Sequence, residues 1–184
     1  MPDHAIRTAA GLVAVDVTLE QEFEARLTES STLAFRVAFS VLRHREDAED
    51  VAQEAFARAY RGFRTLRDRE RFRAWLVRTT WRLALDRQRA DRRRARREQA
   101  HARAPAGNTP TGLARSDQRL ADLWQAIDAL PERLRLVVVL ANVEGHGVAD
   151  VARLAGIPEG TVKSRLFLAR QQLKEHLDER RPRS

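Results

Sequence analysis

A chain of 184 residues makes one large or two small domains, and with a third of its residues charged and few aromatics it suits two compact helical bundles better than one deep core. Its 34 Lys and Arg against 26 Asp and Glu leave a net charge of +8, which points to a polyanionic partner without separating nucleic acid from an acidic membrane. Having no cysteine excludes disulfides, thiolate zinc sites and thiol redox sensing. No apolar run approaches the ~18 residues of a membrane span and no signal pattern opens the chain, so a cytoplasmic protein without membrane insertion is expected.

Residues 1–17 are small, mixed and unpatterned, and read as a mobile tail before a first domain at 18–96. Within that domain the segment Glu46 to Tyr60 is two-faced. Ala48, Val51, Ala52, Ala55, Phe56 and Ala59 form its apolar stripe. Asp47, Asp50, Gln53 and Glu54 lie opposite, with Glu46 and Glu49. Acidic residues suit a helix start through the macrodipole. In an otherwise basic chain the same patch also reads as a protein-docking face.

A second helix, about Glu70 to Arg89, turns Phe72, Trp75, Leu76, Thr79 and Leu83 inward. Trp81 falls on the far side near Val77 and Ala84, where it either packs on another helix or stacks on a base. The run Arg87 to Arg97 follows, with seven Arg and one Asp, suited to neutralising phosphates. Residues 97–116 hold a cluster of Pro and Gly and read as a flexible linker to a second domain at 117–178, with 179–184 a short tail.

In the second domain Leu120, Leu123, Trp124, Ile127 and Leu130 form one apolar stripe, and Trp124 reads as core. Leu134 to Val143 is apolar almost all round and is expected to be the buried central helix. A short helix from Val148 to Leu154 then meets Gly156, whose freedom at positive φ suits a sharp turn. Pro158 opens the next helix, where its missing N–H costs nothing. That helix keeps Val162, Leu166, Ala169 and Leu173 on one face and turns Gly160, Ser164, Phe167 and Gln171 outward. This is the layout of a helix-turn-helix, whose second helix enters the major groove of DNA. Outward Phe167 can touch a thymine methyl, and Lys163, Arg165 or Arg170 can reach guanine or phosphate.

These segments together resemble the group IV, or extracytoplasmic function (ECF), sigma factors of bacterial RNA polymerase. The anchors are REDAEDVAQEAFARAYRGF, FRAWLVRTTWRLALDRQR and LPERLRLVVVLANVEG with GIPEGTVKSRL, in that order along Leu19 to Leu177. The resemblance implies an all-α fold of a region 2 bundle and a region 4 helix-turn-helix. Region 2 would grip the polymerase clamp helices and melt the minus-ten element; region 4 would read the minus-thirty-five element and touch the polymerase flap. Carried onto this chain, Asp47, Asp50, Gln53 and Glu54 fall on the polymerase-docking face. Loop 62–71 with Arg78, Trp81, Arg82, Asp86 and Arg89 falls in the melting and strand-capture region. Thr161, Lys163, Ser164, Arg165, Phe167 and Arg170 fall in the duplex-reading set. The implied partners are core polymerase, promoter DNA and an anti-sigma protein. No cofactor, metal, catalytic residue or small-molecule substrate is implied, and the polymerase does the chemistry. Only DERRPRS follows Leu177, so no fused sensory domain is expected.

The chain departs from the family pattern at three places. Arg82 stands where Asn is common, HGVAD (His146 to Asp150) replaces a sequence such as LSYEE and makes Gly147 the cap, and Leu168 stands where a basic residue is frequent. These bear on promoter choice. A stand-alone LuxR-type regulator shares the C-terminal motif but needs a receiver or ligand-binding N-terminal domain. An architectural DNA binder suits the charge but leaves the acidic face and Phe167 unexplained. The five His are scattered without ligand spacing, which argues against an enzyme.

Overall fold

The computed structural model describes residues 3–66, 68–101 and 115–179, with side chains placed from Thr18 onward except near the ends of the later segments. Seven α-helices, a 3₁₀ turn and a π turn make up the described residues, which contain no strand. Helix α1 (Asp3–Leu42), α2 (Arg45–Phe63) and α3 (Phe72–His101) form the first bundle, with a 3₁₀ turn at Arg69–Arg71 leading into α3. Helix α4 (Arg115–Ala129), α5 (Glu132–Val138) with a π turn (Val139–Val143), α6 (Val148–Ala155) and α7 (Glu159–Glu179) form the second.

Two boundaries differ from the sequence expectation. Residues 3–17, expected as a tail, continue α1, because a helix once nucleated extends at little cost through residues such as Ala9, Ala10, Leu12 and Ala14. Helix α3 runs past Arg89 to His101, since Arg, Ala, Gln and Glu are good helix formers and Arg94 Nε pairs with Glu98 one turn on at 3.0 Å. The expected linker thus contributes helix at both ends. Its centre, 102–114, and the last residues, 180–184, lie outside the described residues.

The first bundle closes on an aromatic cluster. Phe23, Phe63 and Phe72 meet edge to face, with centroids 5.2 to 5.9 Å apart, over Ala34, Ala55, Ala59 and Leu76. Small alanines on α1 and α2 let the helices approach closely enough for these rings to interlock. Between α1 and α2 the backbone turns at Arg43, whose φ of 54° is left-handed and costs a non-glycine residue about 1 kcal/mol. Its side chain crosses to the second bundle, where the guanidinium lies 4.9 Å from the Trp124 ring and pairs with Asp128.

In the second bundle Ile127, Leu130, Leu134, Val137 to Leu140, Val151, Leu154, Val162, Leu166 and Ala169 are buried together. Gly156 caps α6 in the left-handed region at φ 70°, its N–H donating to the Ala152 carbonyl at 2.9 Å. The expected turn is there. Two expectations fail in the helices before it. Leu120 and Leu123 are exposed on α4, whose buried residues, Ala126, Ile127 and Leu130, lie in and just beyond its C-terminal half. The expected central helix breaks into a π turn, with Asn142 and Val143 exposed, as its last turn emerges from the core.

The two bundles are not held apart. Val77, Trp81, Ala84 and Leu85 of α3 share one continuous buried cluster with Val151, Ala152 and Leu154 of α6.

Candidate nucleic-acid interface

Helix α7 presents its outer face fully. Lys163, Ser164, Phe167, Arg170 and Gln171 are exposed, while Thr161 and Arg165 flank them half-buried. Phe167 leaves 59% of its surface in water. An aromatic ring so exposed gains little from the fold, so its place on this face suits a ligand that covers it. Ser164 Oγ donates to the Gly160 carbonyl at 2.8 Å, which pins the hydroxyl at the start of the helix. Leu168 lies exposed beside the set.

Helix α3 is different. At ~100° per residue, Ala74, Arg78, Trp81, Leu85 and Arg89 fall within an arc of about 80°, opposite Phe72, Leu76 and Leu83. The second set packs into the first bundle. The first set faces the second bundle. Arg78 Nη1 donates to the Leu154 carbonyl at 3.3 Å, and Arg89 pairs with Glu132. Trp81 lies between them with only 5% of its surface exposed. A base cannot stack on Trp81 in this arrangement; of the two alternatives for this residue, the structure takes helix packing. Arg82 and Asp86 stay exposed on the flank of the arc, and Arg89 also reaches Asp86 at 3.3 Å. Burial lowers the pKa of Arg78, with Arg82 and Arg71 adding repulsion.

On α2, Asp50, Gln53 and Glu54 are exposed along one side. Asp47 is held inside the bundle's own charge pattern, 2.6 Å from Arg87 and 3.1 Å from His44. Glu54 accepts from Arg58 Nε at 2.7 Å, and that hydrogen bond holds its carboxyl below the usual range.

Between the 3₁₀ turn Arg69–Arg71 and α3 on one side, and α6 with its Gly156 turn on the other, runs an open cleft of about 1060 Å³. Ala74, Arg71 and Arg78 line one wall; Ala155, Ile157 and Pro158 line the other. A Cβ built on Gly156 would stand 3.0 Å from Arg78 Nη1, so the turn itself rests against α3.

Four further contacts cross between the bundles. Arg36 Nε of α1 lies 2.7 Å from the buried carboxylate of Glu144, and Arg43 and Arg92 both reach Asp128. Arg135 Nη1 donates to Gln88 at 3.3 Å, while its Nη2 donates to the carbonyls of Asp128 at 2.8 Å and Leu130 at 3.2 Å. The sequence reading missed Arg135, because one Arg in an apolar helix carries no periodic signal. Its one hint was a cation within LPERLRLVVVL, at a position facing the core.

Among the described residues no three His, Asp or Glu side chains gather as metal ligands, and no helix is long and apolar enough to cross a membrane.

The described residues, all helical and ending in an outward basic helix set by a tight turn, have the architecture of a helix-turn-helix DNA-binding protein. Sigma-70 region 2 matches residues 28–94 and Sigma-70, region 4 matches residues 120–173. The chain is 35% identical over 146 residues to the ECF RNA polymerase sigma factor SigE of Mycolicibacterium smegmatis, covering 78% of this chain and 56% of that protein. It therefore spans little more than half of that relative's length. Identity to the ECF RNA polymerase sigma factor SigM of Mycobacterium tuberculosis is 34% over 140 residues, or 75% of this chain and 68% of that one. The sigma factor RpoE of Bartonella quintana, solved in complex with the anti-sigma factor NepR, shares the fold with a TM-score of 0.56. That likeness has 24% identity and covers 88% of this chain and 99% of that chain. The chain belongs to the ECF sigma factors of the sigma-70 family. The LuxR-type reading is not favoured, since residues 28–94 match region 2 where it requires a receiver or ligand-binding unit.

Proposed function

We propose that this chain binds core RNA polymerase through the α2 face of Asp47, Asp50, Gln53 and Glu54 and opens promoter DNA with loop 62–71 and α3. In this reading Arg82 and Asp86, already exposed, and Arg78, Trp81 and Arg89, once the second bundle no longer covers them, engage the minus-ten element, and Thr161, Lys163, Ser164, Arg165, Phe167 and Arg170 read the minus-thirty-five element. The observation that carries the reading is the outer face of α7, where an aromatic, two full cations and polar side chains stand uncovered on a helix set by the Gly156 turn. Strand opening needs no hydrolysis: cations that track a displaced backbone and an aromatic that stacks on an unpaired base offset the lost pairing. The chain is then not itself an enzyme, and it works in the cytoplasm with the polymerase.

An anti-sigma protein is proposed as a further partner, supported by the fold shared with the sigma factor crystallised with NepR. The test is transcription of a fragmented genomic library by core polymerase with and without the chain. Discrete start sites sharing two spaced motifs are expected. Tight duplex binding by the chain alone, with no transcript, would overturn the reading.

A further inference from the structure

We propose that Leu168, outside the residues so far assigned to promoter reading, is a second reader of base methyl groups on α7. With Phe167 it forms an apolar fork that demands thymine on both strands of the upstream element. The inference rests on the duplex-reading role proposed for α7 and adds the base chemistry which that role selects.

The order of side chains around α7 carries the inference. At ~100° per residue, the outer side begins at Arg170 and Lys163 and passes through Phe167, then Gln171 and Ser164, to Leu168. It ends at Thr161 and Arg165. Phe167 keeps 59% and Leu168 44% of its surface in water, whereas Leu173 on the same helix packs against the core. One exposed leucine needs no explanation. Two large apolar side chains at consecutive positions, on a helix that buries Val162, Leu166 and Ala169 on its other side, form a patch. Cations border that patch on both flanks, Lys163 and Arg170 beyond Phe167 and Arg165 beyond Leu168. Among the described residues none of these three forms a salt bridge, unlike Arg45 and Arg58 of α2, each held by a glutamate one turn away.

The complement of such a face is a surface with two lines of negative charge and apolar groups between them. The major groove has that form, with phosphates along both edges and the thymine C5-methyl as the apolar group on its floor. A helix roughly 10 Å across occupies a groove about 12 Å wide, so its bordering cations meet the phosphates of the two strands. Phe167 and Leu168, about 100° apart, then lean toward opposite strands. Along the axis they are separated by only ~1.5 Å, less than one base step of ~3.4 Å. One base pair carries at most one thymine, so the two methyls come from adjacent A·T pairs of opposite orientation. A cation at position 168 would bind a phosphate and read no base. Leucine there gives up that anchor and takes a methyl contact in its place.

The test uses the full chain bound to core polymerase, on promoter fragments whose upstream motif is taken from the shared start sites. Each thymine of the motif is replaced in turn by uracil, on one strand and then on the other, which removes the C5-methyl alone. The wild-type holoenzyme is expected to lose about fourfold in affinity at one thymine on each strand, in adjacent pairs, as for one methyl group left unburied. Leu168→Ala should erase the loss on one strand only, and Phe167→Ala the loss on the other. Leu168→Met, which keeps an apolar end of similar size, should retain both. The uracil scan of the wild-type chain needs no variant, so a folding defect in a variant does not leave the fork undecided. Absence of a uracil penalty on either strand overturns the inference, and so does a pair of penalties that Leu168→Ala leaves untouched. A holoenzyme that initiates with no preference for any upstream sequence overturns the duplex-reading role of α7 itself, and that result separates the two failures.

Discussion

Helices α3 and α7 carry the two halves of the proposed promoter surface, yet the fold treats them oppositely. On α7 the aromatic is left 59% exposed, whereas on α3 the aromatic is 5% exposed. The cations follow: Lys163 and Arg170 stand in solvent, while Arg78 and Arg89 are spent on Leu154 and Glu132. An aromatic that the fold does not need marks a surface ready for its ligand. One that the fold has covered marks a surface whose ligand must displace a neighbour. The two bundles therefore differ in readiness more than in chemistry.

The largest effect should come from the side of the first bundle that the second leaves open. Asp50→Arg with Glu54→Arg is expected to abolish polymerase binding in a pull-down, with an unchanged circular dichroism spectrum because both sites face solvent. Normal binding would remove the acidic face from the docking surface. Next comes Asp128→Ala, which withdraws the counter-charge shared by Arg43, Arg92 and the buried Arg135. It is expected to cost about 3 kcal/mol in denaturant unfolding, since it leaves a buried cation uncompensated. A cost near zero would mean that the charges between the bundles are idle.

Phe167→Ala and Arg165→Ala should each weaken binding to a specific upstream duplex by about 1–3 kcal/mol. Phe167→Ala should leave the melting temperature unmoved, because the ring contributes little burial. Trp81→Ala should do the reverse: lower stability first, with any loss of duplex binding following from it. Equal behaviour of the two variants would erase the contrast between the helices.

Two smaller effects sharpen the comparison from within the second bundle. Gly147→Ser supplies the side-chain cap that α6 lacks, and should raise stability by a few tenths of a kcal/mol, about the difference between the two caps. A Cβ there meets nothing within 4 Å. The last prediction concerns His146, which sits near Arg73, Arg36 and Asp150 with its Nε2 buried and unpartnered. Burial, joined by the charge of Arg73, lowers its pKa, so the folded chain binds this proton less readily than the unfolded one. Its contribution is present above the ordinary histidine range and is lost as pH falls through the lowered pKa. Glu144 works against it. Burial outweighs Arg36 and raises that carboxyl, so folding gains as Glu144 takes up a proton. His146→Gln is expected to remove the first decline in unfolding free energy below about pH 6.5, and an identical pH profile in both chains would deny the histidine a role.

Much of each bundle was legible in the sequence, and little of their contact was. The Gly156 turn and the two faces of α7 follow from residue spacing alone, because a helix of period 3.6 writes its buried side into the order of Val162, Leu166 and Ala169. The acidic side of α2 was legible for the same reason. The meeting of the bundles has no such period. It is made by Arg36, Arg43 and Arg92, each of which reads in sequence as one more surface cation, by Arg78 and Arg89, which read as strand contacts, and by partners far along the chain in the second bundle. Trp81 shows the limit most plainly: its position on the far side of α3 was readable, but whether a helix or a base would cover it was not. The exposed Leu120 and Leu123 were misread because the stripe rule assumes that one continuous partner covers every apolar turn.

The Gly156 turn belongs to both halves of the molecule. It sets the angle at which α7 leaves α6, and it also rests against Arg78. A side chain at this one position would therefore act twice: it would strain the left-handed turn that aims α7, and its Cβ would press on the Arg78 guanidinium of the other bundle.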